Sequence, residues 1–218
     1  MAVLDQTTDL ALSAAMREGS MAEHQAAEDS SFMSELLGGR VNERGYADYL
    51  LRLRVVYATM EETVGAHRDD AAVSAVADTA LERLAAIDAD LDHWVSDGER
   101  SVVSPAAAAY RQRLLDAAAE WPTLLVAHHY TRYLGDLSGG QAISRLVARH
   151  YAATDEQLAF YRFDGIDNHV QFKRDYRVQL DALPLSDEQS AAVVAEALAA
   201  FEFNGALFDE LHHATAAA

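Results

Sequence analysis

The stretch LVAHHYTRYLGDLSGGQAI, residues 125–143, governs how the whole chain is read. As far as Leu134 it reads as a buried helix, with Leu125, His128 and Arg132 on helical spacing. Gly135, Gly139 and Gly140 then fall within six residues, three of the chain's eleven glycines. Each costs about 1 kcal/mol against alanine in a helix interior. Two arrangements accommodate them: two short helices joined by a turn, or one kinked helix whose backbone lies against something flat. Glycine permits such an approach because no Cβ intervenes. Gly135 and Gly139 are one turn apart on one face, which favours the kinked helix. Asp136 and Ser138 are the polar members of the break.

Outward from this stretch, everything reads as helix. Only Pro105, Pro122 and Pro184 interrupt 218 residues, and runs of alternating β-branched residues are missing. After Asn42, the residues Tyr46, Leu50, Leu53, Tyr57, Met60 and Val64 step by three and four into one apolar stripe. Ser186 and Gln189 read as a capping box. Behind them Val194, Ala197, Leu198, Phe201, Leu207, Phe208 and Leu211 form a second stripe, with Asn204 inside it as a core amide or a ligand-facing group. Further helices are expected at about 9–29, 73–96, 105–117, 122–150 and 167–181. Gly38-Gly39 read as a helix stop, Asp97–Ser104 as a connector, and Pro122 as a first-turn proline. No repeat, linker or composition break divides the chain. The expectation is a single all-α domain over 1–218, with a core from about 9 to 212 and short flexible termini.

Composition narrows the function. Seventeen Lys and Arg face 35 Asp and Glu, a net charge of −18 with histidine neutral. Such a balance disfavours nucleic acid and anionic membrane as partners. With no cysteine, a disulfide scaffold, a thiolate zinc site, an iron–sulfur cluster and a cysteine nucleophile are excluded. Met1–Ala15 carries Asp5 and Asp9 and no early basic residue, unlike a secretory signal, and no apolar run approaches a membrane span. A cytoplasmic, monomeric protein is expected.

Two further constellations carry chemistry. Arg17, His24 and Glu28 are spaced by seven and four, so on one continuous helix they share a face. A hydrogen bond from His24 to Glu28 would fix the imidazole tautomer and leave its other nitrogen free as a ligand. Lys173 is the only lysine, and it lies four residues from Arg177 with Tyr176 beside them. Cations aligned with Arg17 would suit an anionic ligand, or simply a solvated face with ion pairs to nearby acids.

Taken together, the stretch LVAHHYTRYLGDLSGGQ, the HxxxE of His24 and Glu28 followed by Phe32-Met33, FKRDYR at 172–177 and FxFNxxLF at 201–208 resemble the haem oxygenases, bacterial members in particular. These motifs run in order from about residue 17 to 210. The resemblance implies an all-α fold that sandwiches haem b between a proximal and a distal helix. It implies His24 as the axial iron ligand, globin-like and hydrogen-bonded toward Glu28. Gly135, Gly139 and Gly140 would lie over the iron. Asp136, with Tyr57 and Arg132 as partners, would hold water and pass a proton to the bound oxygen. Arg17, Tyr130, Lys173 and Arg177 would anchor the propionates. Phe201 and Phe208 would line the haem, with Asn204 at the pocket rim. Haem would be both cofactor and substrate, opened at the α-meso carbon to biliverdin, carbon monoxide and ferrous iron. Dioxygen would be consumed, with electrons from an external reductase or ferredoxin. The acidic composition, rather than the resemblance, leads to the expectation of a positively charged docking face on that donor.

Three rivals arise from the same residues. A haem carrier would use the same pocket but would not require Asp136 or the glycine run. A helical thiaminase-type enzyme would require a cysteine nucleophile. A di-iron carboxylate oxidase would require two Glu-x-x-His pairs, and only Glu210 with His213 presents itself.

Overall fold

The computed structural model describes residues 10–95 and 98–216, and among these there is no β-strand. Eight helices precede the glycine-rich stretch: α1 (Leu12–Gly19), α2 (Met21–Glu28), α3 (Ser31–Leu37), α4 (Glu43–Ala66), α5 (Ala71–Val76), α6 (Leu84–Trp94), α7 (Pro105–Glu120) and α8 (Leu125–His129). Then come α9 (Gly135–Tyr151), α10 (His169–Asp181) and α11 (Asp187–Ala216). Of the expected flexible termini, residues 1–8 and 217–218 lie outside the described residues, as do Ser96 and Asp97, while 213–216 continue α11 as helix.

α4 begins where the Asn42 side chain accepts the Gly45 N–H at 2.8 Å. Every member of its expected stripe, Tyr46 through Val64, is buried. That face packs on α6 and α7, while α11 lies against α1, α2, α3, α4, α7 and α8. The capping box before α11 is present in both directions. Ser186 N–H donates to Gln189 Oε1 at 2.9 Å, and Gln189 N–H to Ser186 Oγ at 3.2 Å. The expectation that no apolar run reaches membrane length needs correction. α11 is long and apolar enough by length and composition. Its apolar residues Val193, Ala197, Leu207 and Leu211 are nevertheless buried against the other helices, so here it is a core helix.

The glycine-rich stretch resolves in favour of the kinked helix. Helical backbone runs unbroken from Leu125 to Tyr151, and the irregularity is a π-turn over Tyr130–Leu134. A π-turn inserts one residue per turn and rotates the helix beyond it, so it re-aims the glycine face without a loop.

Two other expected helices are divided. The 9–29 segment breaks at Ser20, whose hydroxyl and backbone N–H both bond to the Met16 carbonyl at 2.7 and 3.1 Å. Side-chain back-bonding of this kind competes with the helical ladder and bends it. Arg17 and His24 therefore belong to different helices. The 73–96 segment is interrupted between α5 and α6, where Asp78 caps a short 3-10 turn and Glu61 accepts the N–H groups of Arg83 and Leu84.

Candidate active site

α2, α9, α11, α4 and the 3-10 turn Ala159–Tyr161 enclose a cavity of about 310 Å³. A second compartment of about 290 Å³ adjoins it, and His24, Thr131, Gly135, Ser138 and Phe201 line both. They are two ends of one cleft. The first end is walled by Met33, Tyr49, Phe160, Tyr161, Phe201 and Phe208, an aromatic slot. The second holds Arg17, Tyr130 and Arg177 and is its cationic end. Arg17 pairs only weakly, with its neighbour Glu18 at 3.6 Å and in solvent.

His24 enters this cleft from α2 with its side chain 54% exposed and its ring edge on Phe201, 5.8 Å between centres. The expected hydrogen bond to Glu28 is not formed. His24 Nδ1 and Glu28 Oε1 stand 3.8 Å apart, an ion-pair distance with both groups in solvent.

The glycines divide by role. A Cβ built on Gly135 or Gly139 meets nothing within 4 Å, so their face opens on space. A Cβ on Gly140 would stand 3.3 Å from Tyr161 Cδ1. Gly140 thus admits the Tyr161 ring as well as lining the cavity with Gly135 and Gly139. Lys173 reaches the edge of the cleft through Ser138, which lines both compartments. Lys173 itself lines neither compartment, and its Nζ donates to Ser138 Oγ at 2.9 Å, tying α10 to α9.

The polar centre of the cavity is built around Asp136. Tyr57, buried on α4, donates its hydroxyl to Asp136 Oδ2. Arg132, one turn before Asp136, donates from Nε to the Tyr57 oxygen at 3.1 Å and stands 3.7 Å from Asp136 Oδ1. Its other arm donates to Asn204 Oδ1 at 2.8 Å. Asn204 is therefore a buried partner of Arg132 at the cavity floor, not a rim residue. Burial pushes the Asp136 carboxyl above the usual carboxylate range, against the opposing pull of Arg132 and the Tyr57 hydrogen bond. The Tyr57 phenol is pushed well above its ordinary value, also by burial. The group can hold a proton on a carboxyl at the edge of an apolar slot and fix where that proton points.

Sequence reasoning missed four contributors. Thr131 lies within the glycine-rich stretch and lines both compartments, with a buried hydroxyl that has no partner. Tyr49 lies three residues after Tyr46 and could have been found by extending that stripe. Phe160 and Tyr161 sit in an irregular segment with no periodicity to reveal them. The Glu210–His213 pair is not a metal centre. Glu210 is taken by Arg52 at 2.9 Å and the Ala106 N–H at 2.9 Å, and no metal-ligating cluster occurs among the described residues.

Haem fits these residues. A flat aromatic slot with an open glycine face, one accessible imidazole, a cationic end and an orphaned hydroxyl match a planar, iron-bearing dicarboxylate. The fold and cleft define an all-helical haem-pocket protein.

The comparisons with known proteins name the family. The family model described as heme oxygenase matches residues 10–210. A heme oxygenase of Porphyra purpurea is 38% identical over 200 residues, covering 90% of this chain and 85% of that protein. Heme oxygenase 1 of Rattus norvegicus is 35% identical over 205 residues, covering 92% of this chain and 71% of that one. The crystal structure of heme oxygenase-1 from Synechocystis sp. PCC6803 in complex with heme superposes with a TM-score of 0.91 at 34% identity, covering 95% of each chain. The chain belongs to the heme oxygenase family.

Proposed function

We propose that the protein is a haem oxygenase that opens haem at a meso carbon, the α carbon by resemblance, to biliverdin, carbon monoxide and ferrous iron. It acts as a cytoplasmic monomer, consuming dioxygen and taking electrons from an external reductase or ferredoxin. The observation that carries this reading is the Tyr57–Arg132–Asp136 group in the same cavity as His24. A haem carrier needs the slot and the imidazole, but gains nothing from a buried acid held by a phenol and a guanidinium.

Bound haem supplies the iron at which dioxygen is activated and is itself the ring that is cleaved. His24 would ligate the iron, its ring orientation limited by Phe201. Gly135 and Gly139 would admit the ring plane close to the α9 backbone. Arg17, Tyr130 and Arg177 would hold the propionates and so select which meso edge faces the pocket. Lys173, which spends one of its three N–H donors on Ser138, would join them with the others. Asp136 would supply protons through water, at a position fixed by Tyr57 and Arg132. Phe160, Tyr161 and Phe208 would exclude bulk water from the slot.

The test is product identity. With a reductase system and haemin, carbon monoxide trapped by a separate globin and a single extracted biliverdin isomer would support the assignment. Haem recovered intact would reject it.

A further inference from the structure

Of the described residues that line the cavity, Phe160 and Tyr161 alone stand on a single 3-10 turn, and the others stand on α- or π-helical backbone. So short a turn has no hydrogen-bond ladder to hold it in place. Two buried charges do so instead, from α6 and its entry. The Asp90 carboxylate accepts the Ala159 N–H at 2.6 Å and the Phe160 N–H at 2.9 Å, one on each oxygen. The Arg83 guanidinium donates to the carbonyls of Arg162 and, at 3.5 Å, Phe160, and it lies 4.0 Å from the centre of the Phe163 ring. Asp90 is 0% exposed and Arg83 7%. An anion thus takes the leading N–H groups of the turn and a cation takes carbonyls toward its trailing end, the groups that a short turn leaves without partners.

On its other side the turn carries the cavity wall. The Phe160 ring meets the Tyr57 ring edge to face, 5.6 Å between centres, and the Tyr161 carbonyl accepts Gln141 Nε2 from α9 at 3.0 Å. Apolar side chains filling the space of Asp90 and Arg83 would spare the fold the burial of two charges. What the charges add is one fixed position for the backbone that carries Phe160 and Tyr161.

We propose that Asp90 and Arg83 are positioning residues for the haem slot. They hold the 159–163 segment in place, and through the Phe160 and Tyr161 rings they set how the planar ligand seats beside Asp136 and so which meso edge is opened. This rests on the reading of the cavity as a haem site and of the protein as an oxygenase.

Asp90 also makes the wall sensitive to pH. Burial pushes its carboxyl up to about 6, against the pull of the two N–H bonds, Arg162 and His93. The groups facing it are Arg162 beyond the turn, His93 on its own helix and Tyr46 on α4, while Asp155 and Glu156 of the adjoining turn are exposed. As pH falls through about 6, the carboxyl takes up a proton and becomes a weaker acceptor for the two N–H groups. The fold as a whole responds in the opposite sense. A carboxyl raised above the 3.8 of a free aspartate favours the folded state as it protonates, so the loosening is confined to the turn.

In the haem-free protein, NMR of the Ala159 and Phe160 amide protons and of the Asp90 carboxyl carbon is expected to show one shared titration with a midpoint near pH 6. Asp90→Asn, which sets an NH2 group against one of the two N–H groups, is expected to abolish that titration. It is also expected to weaken haemin binding about tenfold and to release a mixture of biliverdin isomers. Arg83→Met keeps an unbranched stem over Phe163, removes the donors, and should give the same mixture. If either variant folds poorly, the wild-type titration still tests the Asp90 contact. Amide signals that do not move with the Asp90 carboxyl, or an Asp90→Asn protein with wild-type haemin affinity and a single isomer, would overturn the proposal. Haem left intact by the wild type, with the shared titration and the weakened binding both present, would remove the oxygenase reading and leave Asp90 and Arg83 as positioning residues of a haem-binding wall.

Discussion

The Tyr57 hydroxyl donates to the Asp136 carboxylate, joining α4 to α9 across 79 residues of sequence. Arg132 holds the same phenol oxygen from one turn away, so the carboxyl has one orientation and one hydrogen-bonded neighbour on its protein side. Removing the acid is a chemical change more than a structural one. Asp136→Ala is expected to bind haem with near-wild-type affinity and to lose at least about 100-fold in biliverdin formation. Haem titration beside product assay checks both halves.

His24 is tied to the fold by little. Its contact with Glu28 is long and solvent-exposed, and such pairs contribute about 0–1 kcal/mol. His24→Ala should therefore melt like the wild type but lose the native ferric absorption spectrum. A mutant with an unchanged spectrum would take the ligand role from His24.

Gly139 separates stability from function. Its Cβ position is open, so Gly139→Ala should stabilise the haem-free protein by up to about 1 kcal/mol through helix propensity alone. The same methyl group occupies space that the ligand plane would use, and Gly139→Leu should weaken haem binding markedly. Melting of the apoprotein and haem titration of both variants would show the opposed trends.

Glu196 gives the fold an acid limit. The buried His128 Nε2 stands 2.7 Å from Glu196 Oε1, and Arg113 donates to both Glu196 oxygens at 2.7 and 2.6 Å. Burial raises the carboxyl, but the bonds from His128 and Arg113 outweigh it and hold it at about 2, against 4.5 for a free glutamate. As pH falls, the unfolded chain takes up this proton first. The contribution, of order 3 kcal/mol, is complete above about pH 4.5 and drains away between there and pH 2. Glu196→Gln should lower stability at neutral pH and flatten that part of the stability–pH curve, measured by denaturant unfolding.

These residues also show where the sequence was readable. The α4 stripe and the Ser186–Gln189 box follow from local spacing and stand as expected, because propensity and burial agree there. The kink in the glycine-rich stretch was legible from Gly135 and Gly139, but its π-turn was not, since it has no distinct residue signature. Nothing in the sequence of the expected 9–29 helix marks the break at Ser20, which depends on the bond of its hydroxyl to the Met16 carbonyl. Gly140 could not be told from Gly139 without Tyr161, which reaches it from an aperiodic segment. Lys173 was placed by charge and by resemblance, and its bond to the Ser138 hydroxyl on α9 had no sign in the sequence. Local periodicity carries the helices and the groups on their faces. Pairings such as Tyr57–Asp136 and His128–Glu196 span 79 and 68 residues and depend on tertiary placement.

The most direct measurement is an aerobic single turnover. The purified protein is loaded with one equivalent of haemin and reduced with ascorbate in the presence of catalase, which removes free peroxide. The expected result is loss of the Soret band with growth of a biliverdin absorption in the red. A Soret band that survives reduction and oxygenation, with a reductase system also failing to bleach it, would contradict the oxygenase reading.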